Sequence, residues 1–133
     1  MAAAPSTSPA PSSPTSSAAP PSPPTRAPPS LLFTGATASV KGSALCASFA
    51  TGKFALRALA QSLAREFGPK GVHVAHVVVD GVIDIPRTRE WVLQGEDAKL
   101  SADAIADAYW HLHTQPRTTW THELDLRPYI EKW

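Results

Sequence analysis

FATGKFALRALAQSLAREF, residues 49–67, runs directly into GPKGVHVAHVVVD, residues 68–80. In the first segment Phe49, Leu56, Leu59, Leu63 and Phe67 recur at helical steps, while Arg57, Gln61, Arg65 and Glu66 fall elsewhere around the axis, the pattern of an amphipathic helix. Gly68 is placed to turn left-handed past the last helical position and Pro69 forbids continuation, so the helix is expected to stop at Phe67. From Val72 to Val79 apolar residues fill both alternating sets. Val72, Val74 and Val78 share one face with His76; Ala75, Val77 and Val79 share the other with His73. A strand with two apolar faces is buried on both, and such strands lie in parallel sheets under helices.

A long helix feeding a doubly buried strand implies a right-handed crossover, which needs a parallel strand before the helix. Leu31–Thr34 is the candidate. The expected unit is a strand at 31–34, a helix from about 43 to 67 and a strand at 72–79. Ser101 caps a second helix, 101–114, with Asp103 in its first turn and Ala104, Ile105, Ala108, Tyr109 and Leu112 as its buried stripe. Alternation through Trp120, His122, Leu124 and Leu126 predicts a last strand at 120–126. The fold class is α/β, with three parallel strands and two helices packed on them.

Residues 1–30 are almost entirely Pro, Ala, Ser and Thr with one charge, Arg26, and cannot bury enough surface to offset the entropy of ordering. They are expected to be a disordered low-complexity segment ahead of a folded region at 31–133. They lack the apolar core of a secretory signal and the arginines of a transit peptide. Pro20-Pro21 and Pro23-Pro24 read as linker. A net charge of +1 with both signs interspersed argues against a nucleic-acid or anionic-membrane surface, and no apolar run approaches the ~20 residues of a membrane span. One cysteine, Cys46, excludes an internal disulfide and suits a reducing compartment, so the expected location is the cytoplasm. Cys46 itself reads as a small buried helix residue.

Several polar groups invite a chemical reading. Thr34-Gly35-Ala36 looks like the start of a dinucleotide fingerprint, but Ser39 and Lys41 stand where the later glycines are needed. His111 and His113 point to different sides of their helix and do not make a zinc pair. Alternation places Glu123 and Asp125 opposite His122, so these three read as edge-strand polarity and not as an acid/base cluster. Arg87–Gln94 is expected to be a mobile loop and helix, with Trp91 covering core.

Residues 48–56, SFATGKFAL, with the strand and small-residue loop upstream, the GPKGVHV turn, the loop closed by Pro86 and the Ser101-capped helix, resemble the active-site region of the short-chain dehydrogenase/reductase family. The resemblance covers 31–133, the second half of such a domain, and implies a partial Rossmann-like sheet and an NAD- or NADP-linked oxidoreductase. The family's signature is Tyr, three residues, then Lys; here Phe49 and Lys53 occupy those places, and Ala36 occupies the serine position. The resemblance therefore implies Lys53 as the remaining catalytic residue and Thr34, Gly35, Lys53 and Gly81 on the cofactor side. Asp80-Gly81 stands where Pro-Gly is usual, and Ile85 where a threonine is. An atypical branch of the family, with Phe for Tyr and a similar DG turn, resembles the chain more closely. Two functions follow as expectations. One is a truncated oxidoreductase homologue, weak or inactive alone. The other is a non-catalytic partner docking through the 43–67 helix onto a second copy or a full-length homologue.

Overall fold

The computed structural model describes residues 2–6, 8–9 and 27–133; the disorder expected over 1–30 falls mostly outside these residues. The described chain forms β1 (Ser30–Ala36), α1 (Ala47–Phe67), β2 (His73–Val79), β3 (Ile83–Asp84), β4 (Leu100–Ser101), α2 (Ala102–Thr114) and β5 (Glu123–Leu126). Parallel pairing in the order β1-β2-β5 makes the main sheet, and β3 pairs parallel with β4 in a separate two-stranded piece. The α/β architecture and the three parallel strands are those the hydrophobic patterns dictate.

β2 is buried at every position, as its two apolar faces require. Register assigns the faces. Leu32, Thr34, Ala75, Val77, Val79, Leu124 and Leu126 look one way, where Ile105, Tyr109 and Leu112 of α2 complete the main apolar core. Gly35, Val74, His76, Val78 and Glu123 look the other way, beneath α1. The second helix begins as expected, with Ser101 Oγ accepting from Ala104 N at 3.2 Å. Its stripe differs at one position, because Ala104 is exposed.

α1 keeps most of its predicted stripe toward the sheet: Leu56, Leu63 and Phe67 are half-buried on the side of buried Ala50 and Ala60. Phe49, at 54% exposed, and Leu59, at 47%, depart from it. The helix stops at Phe67 as expected, and its start differs. The helix starts at Ala47, not near 43, so half-buried Cys46 precedes it as the N-cap residue. At the other end Gly68 is right-handed, with φ −54°. Pro69 enters a 3-10 turn, Gly68–Lys70, where its missing N–H costs nothing, and the left-handed reversal is deferred to Gly71 at φ 89°. No helix forms at 87–94, which is turns and loop, and Trp91 there is exposed.

One ion pair ties α1 to the far strand of the sheet. Arg57 donates through Nε and Nη2 to the two carboxylate oxygens of Glu123, each at 2.8 Å, and His76 Nδ1 lies 3.1 Å from Glu123 Oε2. Glu123, half-buried on the edge strand β5, is thus a tether to α1 and not free edge polarity. The Arg57 guanidinium, with smaller help from His76, holds the Glu123 carboxyl below the usual carboxylate range, and Glu123 in turn raises Arg57. A depressed carboxylate contributes stability above its unfolded pKa and loses it as pH falls through the folded value. Glu123→Gln is expected to cost about 1–2 kcal/mol at pH 7. Urea denaturation from pH 7 down to pH 3 should show the difference between parent and variant shrinking below about pH 4.5.

Candidate functional site

The carboxyl ends of parallel strands are where open α/β sheets bind ligands, and the residues singled out from the sequence gather at that end. Ala36 is the last residue of β1; Gly81 follows β2 with φ 148°. On α1, Phe49 and Lys53 are one turn apart, with the Lys53 ammonium 5.8 Å from the Phe49 ring centroid, within range of a cation–π attraction. Lys53 Nζ also donates to Thr34 O at 3.0 Å. The Thr34 hydroxyl lies on the opposite face, 2.6 Å from Tyr109 OH.

Gly35 has a different use. A Cβ built on it would overlap His76 Nε2 and lie 2.6 Å from Ser39 Oγ. Ser39 is itself buried and accepts from Ala36 N at 3.0 Å. Glycine is required here so that a buried imidazole can close against the strand. Two cavities lie elsewhere. One of about 380 Å³ is bordered by Ala64, Arg65, Val72, Trp120 and His122, and one of about 330 Å³ by Asp84, Trp91, Leu93, Asp97 and Lys99. Among the described residues no cluster of three or more metal-ligating side chains exists.

Sequence reasoning treated Asp80 only as a replaced proline. In the fold it is 2% exposed, accepts from the Thr37 hydroxyl through Oδ1, and pairs through Oδ2 with Arg127 Nε at 3.3 Å. Thr37 comes from the turn after β1 and Arg127 from the residue after β5, so Asp80 joins three strand ends at one buried carboxylate. An acidic residue directly after a run of valines was the available signal. Its partners lie 43 and 47 positions away, which no local pattern reveals.

No family model matches the chain. Over 76 residues it is 40% identical to an uncharacterized oxidoreductase of Staphylococcus epidermidis, found in two strains, a match covering 57% of this chain and 32% of that protein. The chain thus spans about a third of the length of the curated relatives it matches. The crystal structure of a short-chain dehydrogenase from Rhodopseudomonas palustris is 44% identical, with a TM-score of 0.56 over 75% of this chain and 38% of that one. A short chain dehydrogenase/reductase family protein is 26% identical, with a TM-score of 0.57 over 72% and 43%. The closed form of a serine dehydrogenase complexed with NADP+, at 15% identity and a TM-score of 0.64 over 78% and 46%, shares the fold. Among the described residues no helix is long and apolar enough to cross a membrane.

Gly35→Ala is expected to destabilise the chain by about 2–3 kcal/mol, because neither a buried imidazole nor the strand can retreat. In a double-mutant cycle, His76→Ala should remove much of that penalty. Chemical denaturation of the four proteins measures the coupling, and an additive result would contradict the close packing.

Proposed function

We propose that the chain, as part of a short-chain dehydrogenase/reductase domain, supplies the lysine-bearing helix and the glycine turn of an NAD(P)-linked oxidoreductase site and does no chemistry alone; its similarity to short-chain dehydrogenases supports this reading. The observation that carries this reading is the Phe49–Lys53 pair beside the end of β1, with Ala36 terminating that strand. The lysine is in place; the phenol and the serine hydroxyl are not. A positioned proton donor contributes about 10²–10⁴ in rate and an oxygen-directed donor about 10²–10³. Both act only on a substrate already held against the cofactor that carries the hydride. We assign Thr34, Gly35, Lys53 and Gly81 to the cofactor side of the completed site. Either NAD or NADP is compatible with that assignment, and the cytoplasm with the lone cysteine.

The isolated chain is expected to give no micromolar binding of NADH or NADPH in a fluorescence titration. Phe49→Tyr combined with Ala36→Ser is expected to add no ketone reduction above a no-enzyme blank. Micromolar binding, or activity of the double variant, overturns this reading.

A second reading, compatible with the first, makes the chain a docking partner of a homologue or a second copy. It is favoured by the large apolar residues that α1 leaves exposed, Phe49, Phe54 and Leu59 at 54%, 43% and 47%, which five-residue steps distribute around the helix and not along one face. Phe49→Glu with Leu59→Glu should lower the sedimenting mass of the full chain at micromolar concentration while its circular dichroism is unchanged. An identical mass for parent and variant removes the docking reading.

A further inference from the structure

After β5 the chain doubles back over the carboxyl end of β2. Arg127 pairs with Asp80 at 3.3 Å and, through Nη2, with Asp125 at 3.0 Å, while its guanidinium lies 4.2 Å from the Trp133 ring centroid. Pro128 is buried against the turn after β2, where a Cβ on Gly81 would come within 2.9 Å of Pro128 Cδ. Ile130 reaches the loop between β3 and β4, where a Cβ on Gly95 would lie 2.8 Å from Ile130 Cδ1. The tail therefore touches both the turn after β2 and the loop, each time at a glycine with positive φ.

That loop is braced from within. The buried Thr88 hydroxyl donates to Ile83 O and accepts from Ile85 N at 3.1 Å, and Lys99 Nζ donates to Thr88 O at 2.8 Å and to Arg89 O at 3.1 Å. At its base the short β3–β4 ladder pairs Ile83 with Leu100 and Asp84 with Ser101.

We infer that the tail Arg127–Trp133 is a strap holding the 85–99 loop against the end of the sheet, with the Arg127–Asp80 pair as its latch. The latch is strong because Asp80 is buried: drawing Arg127 away leaves a carboxylate inside the protein with the Thr37 hydroxyl as its remaining side-chain partner. The remaining strap contacts are edge contacts on glycines and release easily. Tail and loop thus open together, ahead of the sheet, and the strap controls access to the turn after β2. This inference is independent of any cofactor.

Hydrogen exchange of the full chain, read by mass spectrometry, tests it with Arg127→Gln and Ile130→Ala. The expected result is roughly tenfold faster exchange over 85–99 and 127–133 in Arg127→Gln, a change in the same direction in Ile130→Ala, and unchanged protection of β2. Unchanged loop exchange in both variants, or β1 and β2 opening in step with the loop, overturns the strap. Should Arg127→Gln fail to fold, Ile130→Ala decides alone, since it leaves the ion pair in place: faster exchange in the loop supports the strap, and unchanged exchange rejects it.

Discussion

β2 has no exposed face, and it carries two histidines and ends at an aspartate. Each polar group inside must find a partner or cost more than a valine would gain. His73 Nε2 reaches Thr121 O at 2.7 Å while its ring stacks on Trp120; His76 reaches Glu123; Asp80 takes Thr37 and Arg127. These links run from β2 outward to β1, α1, β5 and the tail and fix the placement of its neighbours, while His73 Nδ1 and His76 Nε2 stay buried without a partner among the described residues. Breaking one leaves a buried group unpaired, which is why the tethers matter more than their number suggests.

The same economy shapes the end of the sheet. At this end the chain has Ala36, Phe49 and a glycine pressed against His76. Lys53 donates to a strand carbonyl, and Asp80 pairs with Arg127. α1 meanwhile buries Ala50 and Ala60 and leaves Phe49, Phe54 and Leu59 exposed.

The valine run and its two-sided pattern were enough to declare a parallel sheet, and the helical spacing, Pro69 and Ser101 were enough to place both helices to within a few residues. These signals are local, set by the steric and hydrogen-bonding rules of single elements. The direction α1 faces was only partly local. Its apolar spacing named Leu56, Leu63 and Phe67, which the sheet half-buries, but which alanines join them and that Phe49 and Leu59 stay exposed depend on what the sheet presents. Likewise the turn after Phe67 offered two glycines, and only the path into β2 selected Gly71 for the left-handed position.

By itself, then, the sequence determined element type, order and the parallel character of the sheet, together with which residue stands at each position of the Phe-x-x-x-Lys site. Those follow from side-chain period and backbone chemistry, which are written residue by residue. The tertiary structure alone decided that Gly35 makes room for His76, that Glu123 is a half-buried tether to Arg57, and that Asp80 gathers Thr37 and Arg127. Each of these joins residues more than forty positions apart, and their chemistry exists only once the parallel register brings the strand ends together.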